Sequence, residues 1–384
     1  MALHFTREEL AGRRQAAVRA LAERGLDGLL MFRQESMYYL TGYDTFGYVF
    51  FQCLYLGADG RFFLLTRAPD LRQAWHTSVV EDVRVWVDAP DAKPAEELRK
   101  VLAEYGAKGK RLGVEYEAYG LTARNGKRLE AALEGFATLS DASDLVTRLR
   151  LVKSPAEIAY VRKAAELADL ALDEAERLAG PGAYEGEILA AMHGAIFRNG
   201  GDDPANEFII GSGKDALLCR YFSGRRHLEA QDQLTLEFAG TYRHYHSCLM
   251  RTIVIGKPDP QHIRMHKAAV DALEACKAKV RPGATMGEVF EAHAVTLDAA
   301  GMREHRMNAT GYSLGTTFAP NWMDWPMFYR DNPEVIGPGM VFFIHIIIFD
   351  SPRGLAMTTG QTVLVTKTGC EPLSRKGLDL VVKS

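Results

Sequence analysis

Val341 to Phe349 reads Val-Phe-Phe-Ile-His-Ile-Ile-Ile-Phe, and no other stretch constrains the fold as much. A strand turns successive side chains to opposite faces, so a run apolar at all but one position needs cover on both faces. It is far too short for a bilayer span, which takes about 20 residues in a helix. A central strand in a large sheet is therefore expected. The exception, His345, is either a neutral core ring bonded to a backbone carbonyl or a functional group in a low-dielectric site. The chain is long enough for such a core: its 384 residues, at roughly 150 per domain, suggest two or three domains. With 47% hydrophobic and 25% charged residues the composition is globular, which excludes collagen, coiled coil and disorder. A net charge of −3 leaves no electrostatic footprint for nucleic acid or an acidic membrane. The five cysteines are scattered and form no CxxC pair, which argues against a structural zinc or disulfide framework and fits a reducing cytoplasm. No signal peptide is expected, because the N-terminus runs straight into charged helix-like sequence.

Helix and strand signals alternate through residue 145 or so. Thr6 and Glu9 form a capping box, Leu10, Ala17, Val18 and Leu21 follow helical spacing, and Gly25 stops the helix. Strands are expected at Leu29–Phe32, Tyr48–Leu56, Phe62–Thr66 and Arg111–Val114, with a helix at Pro94–Tyr105. This alternation indicates an α/β domain over residues 1–148. A second domain, 149–384, opens near Ser154-Pro-Ala-Glu157, an N-cap, a first-turn proline and a capping-box glutamate together. Four helices (155–180, 185–198, 261–279 and 286–300) and strands at 208–210, 234–238, 244–254, 340–349 and 361–366 predict an α+β domain. Its helices are expected on one face of a largely antiparallel sheet.

The densest cluster of chemical groups is Leu234-Thr-Leu-Glu-Phe-Ala-Gly-Thr-Tyr-Arg-His-Tyr-His-Ser-Cys-Leu-Met-Arg-Thr. It reads as a hairpin turning around Thr241–Arg243, which places Glu237 opposite Cys248 and aligns His244, His246, Cys248 and Met250 on one face. A carboxylate between Leu236 and Phe238 is costly unless paired or functional; Arg251 and His246 are the candidate structural partners. Gly211-Ser-Gly-Lys214 is not a phosphate loop, because Phe208 and Asp215 break the pattern. Two aromatic segments without a clean period, Met37–Tyr48 and Thr310–Tyr329, are expected as loops that either pack over the core or wall a small-molecule pocket.

Taken in order, Tyr39-Leu-Thr-Gly-Tyr, Arg150-Leu-Val-Lys-Ser-Pro-Ala-Glu-Ile, Met250-Arg-Thr, Gly311-Tyr-Ser-Leu-Gly and Pro338-Gly-Met-Val-Phe resemble the creatinase/prolidase/aminopeptidase P family across nearly the whole chain. The resemblance implies an α/β N-terminal domain and an α+β "pita-bread" C-terminal domain. It also implies a homodimer with N-terminal segments near the partner's active site. The metallopeptidase members hold two metal ions with two Asp, one His and two Glu. Here those positions fall on Glu237, Cys248, Tyr312, His345 and a site at or next to Gly360, and the family's pocket histidine falls on Arg220. One carboxylate cannot serve two hard ions that share bridging carboxylates, so no metal and no cofactor is expected. The family's metal-free branch includes creatinase and ectoine hydrolase, which cleave C–N bonds of small nitrogen-rich solutes. Glu237-x-Ala-Gly-x-Tyr-x-x-Tyr-His and Pro320-Asn-Trp look most like ectoine hydrolase; His345 and the missing last glutamate depart from it.

The expected activity is metal-independent hydrolysis of such a solute: an ectoine-like cyclic amidine, a creatine-like guanidine or a related amide. Glu237 is the candidate nucleophile or general base. His246 or His345 is the candidate donor to the departing nitrogen, and Tyr312 the donor to developing charge. Arg220 suits a substrate carboxylate, and Phe46, Tyr48, Phe318, Trp322 and Trp325 are candidate aromatic walls. The alternatives are a metal-dependent Xaa-Pro peptidase-like hydrolase with a rebuilt site, in which Glu237, Cys248 and His345 hold one zinc, and an inactive member that only binds a ligand.

Overall fold

The computed structural model describes residues 3–220 and 225–384. The chain divides between Arg150 and Leu151, where the sequence reading puts the boundary at 148/149. The N-terminal unit holds helices α1 (Arg7–Glu23), α2 (Gln34–Thr41), α3 (Ala68–Thr77), α4 (Pro94–Glu104) and α5 (Ala123–Leu133), with α6 (Leu145–Leu151) at its end. Its strands are β1 (Gly28–Met31), β2 (Cys53–Gly57), β3 (Phe62–Arg67), β4 (Val83–Trp86), β5 (Arg111–Val114) and β6 (Thr138–Asp141), in the order β4-β3-β2-β1-β5-β6. Strand alternation explains the layers. Leu30, Tyr55, Leu65, Leu112 and Val114 meet α4 and α5 on one face, while Leu29, Met31, Leu54, Leu56 and Leu64 meet α1, α2 and α3 on the other.

Two local expectations fail here. Residues 48–52 are not strand: Gly47–Val49 form a 3-10 turn, with Thr45 Oγ1 accepting the Gly47 N–H, and β2 begins only at Cys53, where pairing with β1 and β3 starts. Met37–Thr41 is not loop but part of α2. Its N-cap, Arg33, makes no side-chain cap. The cap comes from the far end of β5: buried Glu115 accepts from Phe32 N at 3.1 Å, Arg33 N at 3.0 Å and Ser36 Oγ at 2.5 Å.

The C-terminal unit contains α7 (Pro155–Leu178), α8 (Glu185–Arg198), α9 (Pro260–Lys279) and α10 (Met286–Ala299). Reciprocal capping boxes at Ser154/Glu157 and Thr285/Glu288 start α7 and α10. Its strands are β7 (Ile209–Ser212), β8 (Asp232–Tyr242), β9 (Tyr245–Ile255), β10 (Ala309–Ser313), β11 (Asp324–Tyr329), β12 (Val341–Asp350), β13 (Leu355–Val365), β14 (Cys370–Pro372) and β15 (Val381–Lys383). They form one sheet, β11-β10-β12-β13-β9-β8-β7, with β14 on β13 and β15 on β9; only the β15 pairing is parallel. Among the described residues no helix is long and apolar enough to cross a membrane.

The helices lie on one face, as expected. Phe342, Ile344, Ile346 and Ile348 of β12 pack against Met265, Leu273, Met286 and Val289 of α9 and α10. Period two then turns Phe343 and His345 to the face away from the helices. At β8 the helix-side contact is closer still. A Cβ on Gly240 would sit 2.0 Å from Ala164 O and 2.4 Å from Ala168 N of α7, so the strand and helix backbones touch there and only glycine fits. Gly240→Ala is expected to lower stability by about 3 kcal/mol, read as an earlier urea unfolding midpoint.

Candidate active site

The β8–β9 hairpin turns on Arg243 and His244, both with positive φ (51° and 65°), and pairs Tyr242 with Tyr245. The turn lies one residue beyond the expected centre, so Glu237 is opposite Met250, and Cys248 is opposite Ala239. A two-residue change of partner keeps the face. Glu237, Ala239, Thr241, His246, Cys248 and Met250 therefore share the face away from the helices.

Glu237 is 8% exposed and pairs with neither proposed structural partner. Arg251 bonds the carbonyls of Met250, Gly360 and Gly377. His246 is held on both ring nitrogens: Nε2 accepts Ala205 N–H at 2.9 Å and Nδ1 meets Thr317 Oγ1 at 3.1 Å. The side-chain partner of Glu237 is Tyr312, whose hydroxyl donates to Oε1 at 3.1 Å. Burial pushes the Glu237 carboxyl up to about 7, against the downward pull of the Tyr312 hydrogen bond and the Arg220 guanidinium.

Tyr312 stands on β10, four strand steps from β8 along β10-β12-β13-β9-β8. In a flat sheet that is about 19 Å at ~4.8 Å per step, yet the two side chains bond. The sheet therefore curls over its helix-free face and encloses the groups on it. Gly311, at φ 139°, lets β10 press against β12, for a Cβ there would lie 2.0 Å from Phe343 O. The β10–β11 register shifts on both sides of Tyr312, a local irregularity that re-aims a side chain. Trp322 Nε1 donates to the Tyr312 hydroxyl at 2.8 Å.

Ile209, Glu237, Met250, Gly360 and His345 form one row across five strands. His345 is 9% exposed, its ring centre lies 5.6 Å from that of Tyr312 and 5.5 Å from that of Phe343, and buried Nδ1 has no hydrogen-bond partner among the described residues. Burial lowers it to about 4, against an upward pull from its own backbone and with a further downward push from Arg220. Arg220 is exposed. Cys219 and Cys248 flank the carboxylate, and burial and Glu237 raise both thiols.

Several expected roles need correction. His246 is no proton donor: it is fully buried, both nitrogens are engaged, and burial lowers it to about 3. Trp325 packs against the helix-side core rather than lining the Glu237 face. Phe318 is buried and stacks on the His244 ring at 4.1 Å, at the hairpin tip. Trp322 is buried and acts through its indole N–H. Phe46 and Tyr48 belong to the N-terminal unit, where Phe46 is 78% exposed and Tyr48 is buried. The sequence reading missed Thr317, Asn206 and Phe343. Thr317 and Asn206 are ordinary polar loop residues with no local signal; Phe343 was legible two residues before His345 on the same strand face.

The donors do not fit a dinuclear metal centre. The five positions offer one carboxylate, a thiol with a raised pKa, a phenol hydrogen-bonded at both ends, a neutral imidazole and a glycine. At Gly360 a Cβ would lie 2.8 Å from the Phe343 ring, so an aromatic edge occupies that space. Among the described residues no group of three His, Cys, Asp or Glu is placed to hold an ion, which also counts against the Glu237–Cys248–His345 zinc arrangement.

Fold and site together define a two-domain pita-bread protein of the creatinase and prolidase class. Residues 13–152 match the creatinase/prolidase N-terminal domain and residues 159–367 match metallopeptidase family M24. The chain belongs to metallopeptidase family M24. It is 28% identical to the ectoine hydrolase of Halomonas elongata, over 100% of this chain and 99% of that protein. It is 25% identical to an Xaa-Pro dipeptidase of Pyrococcus horikoshii, over 93% and 95%. Among solved structures, the dipeptidase PepE of Mycobacterium ulcerans aligns with a TM-score of 0.85 at 27% identity, covering 98% and 99% of the two chains. An Xaa-Pro dipeptidase from Bacillus anthracis shares the fold at a TM-score of 0.84 and 21% identity, covering 97% and 99%.

The raised Glu237 pKa makes a stability prediction. A carboxyl with a higher pKa folded than unfolded favours the folded state while protonated, and that contribution is lost as pH rises from the ordinary glutamate range through about 7. Glu237→Gln removes this dependence. The variant is expected to gain on the parent by about 3 kcal/mol between pH 4 and pH 8.5, checked by urea denaturation at both pH values.

Proposed function

We propose that this protein hydrolyses a C–N bond of a small nitrogen-rich solute, without a metal ion, through the carboxyl group of Glu237. One observation carries the reading: where the metallopeptidase pattern of the family needs clustered carboxylates, this chain buries a single one, with one directed donor and a pKa near 7. A group so tuned is half ionised at neutral pH and can both take and return a proton. The similarity to an ectoine hydrolase along the whole chain supports the solute class.

In this reading ionised Glu237 either takes a proton from water that attacks the substrate carbon, or attacks that carbon itself. In the first route the C–O bond forms to water, the C–N bond breaks, and Glu237 returns the proton it took to the departing nitrogen. In the second the C–O bond forms to Glu237, the C–N bond breaks with the nitrogen taking its proton from water, and a further water attacks the Glu237 carboxyl carbon, releasing the product and restoring the carboxylate. His345, neutral near pH 7, is suited to orienting the substrate through a ring nitrogen and not to acting as the acid. Arg220 supplies positive charge at the exposed edge for a substrate carboxylate. The homodimer, with N-terminal segments near the partner's active site, remains part of the proposal; light scattering on the purified protein tests the dimer.

The test is a turnover screen on ectoine, creatine and related amidines and amides. Glu237→Gln is expected to lose at least about a thousandfold in kcat with an unchanged oligomeric state, and exhaustive chelation to leave the parent's rate unchanged. Single turnover in 18O-water separates the two routes, because only attack by the carboxylate leaves label in the Glu237 side chain. Chelator-sensitive cleavage of Xaa-Pro dipeptides, an activity that the name of the Pyrococcus relative carries, would instead establish the metallopeptidase reading.

A further inference from the structure

We propose that Trp322 is a positioning residue: its indole N–H makes Tyr312 a one-way donor to Glu237 Oε1 and leaves Oε2 as the oxygen that reacts. The inference deepens the reading of Glu237 as the reacting group and rests on it.

An indole N–H can only donate, so the 2.8 Å contact from Trp322 Nε1 makes the Tyr312 oxygen an acceptor. A phenol has a single hydrogen, and at 3.1 Å from Glu237 Oε1 it points to that oxygen. Oε1 then accepts whether Glu237 is charged or neutral, and a proton on neutral Glu237 must reside on Oε2. Without the indole, the Tyr312 hydroxyl could also accept from a protonated Glu237, and the two oxygens would lose their distinction. In either chemical route the atom that takes a proton or forms the new bond is therefore Oε2.

The indole is itself held in place. Trp322 N–H donates to Asn206 Oδ1 at 3.1 Å, and its carbonyl accepts from Thr317 Oγ1 at 3.5 Å. Thr317 Oγ1 in turn meets His246 Nδ1, and His246 Nε2 accepts the Ala205 N–H. A backbone N–H donates only, so Nε2 is the acceptor, the ring hydrogen is on Nδ1, and Nδ1 donates to Thr317. Each direction along this line is forced by the step before it. Buried His246, idle in the chemistry, thereby anchors the loop that carries Trp322.

The test reads Glu237 directly and needs no substrate. In protein labelled with 13C-glutamate, the infrared band of the protonated Glu237 carboxyl, assigned by difference against Glu237→Gln, is followed with pH. Among the described residues the groups facing this carboxyl are Tyr312, Arg220, Cys219 and Cys248, and none is altered except Tyr312. Tyr312→Phe is expected to raise the midpoint by about one unit, since a hydrogen bond to the ionised form is lost. Trp322→Phe is expected to raise it by about half a unit alone and by nothing in the Tyr312→Phe background, because the two act in series. No shift in Trp322→Phe, a downward shift, or the same shift in both backgrounds overturns the proposal. Should Trp322→Phe fail to fold, benzothienylalanine at 322, which keeps the ring shape and lacks the N–H, is judged by the same outcomes. A functional reading that fails shows instead as undiminished turnover in Glu237→Gln, whatever the midpoints are.

Discussion

The two-residue turn at Arg243 and His244 holds the register on which the candidate site depends. Both residues adopt left-handed backbone geometry, uncommon outside glycine and suited to tight hairpins. Tertiary contacts hold them there. The Arg243 guanidinium bonds the Tyr160 hydroxyl and lies 4.8 Å from its ring centre, and Arg243 N–H donates to Asp202. The His244 ring stacks on Phe318. A slip of one residue between the two strands would put Glu237 and Cys248 on opposite faces, one of them on the helix side, where Gly240 already touches α7.

Once register is set, the site follows from what surrounds one carboxylate. A charge in an apolar site needs a counter-charge or directed hydrogen bonds. Here the directed hydrogen bond comes from the Tyr312 hydroxyl, and burial raises the carboxyl's pKa. The substitutions are mutually consistent. At the positions where the resemblance puts metal ligands, a phenol donates to Glu237, a glycine leaves room for the Phe343 ring, and a neutral imidazole stands at His345.

The loop between β10 and β11 is tied to the hairpin tip by backbone and side-chain hydrogen bonds. His246 N–H bonds Gly315 O, Thr317 N–H bonds His244 O, and Tyr245 bridges Thr316. The loop thus continues the sheet edge at the hairpin tip. The aromatic character that marks this segment in the sequence serves anchorage at Phe318, core packing at Trp325 and hydrogen bonding at Trp322.

Much of this was legible in the residues alone. The apolar run around His345 required a doubly covered central strand, capping signals located α7 and α10, and period two placed Glu237, His246 and Cys248 on one face. Local chemistry determines such features, because a strand has two faces and a helix end needs a cap. The identity of Glu237's partner was not legible. Tyr312 lies 75 residues away and meets it only because the sheet curls. The α2 cap, supplied by Glu115 across 79 residues to Ser36, was hidden for the same reason. His246 looked like an acid in sequence and proved an anchor, because a ring nitrogen's role depends on what lies opposite it. The sequence by itself determined which groups are present and which face of a strand each takes; the tertiary structure decided which of them touch, since that depends on curvature and burial that no local pattern encodes.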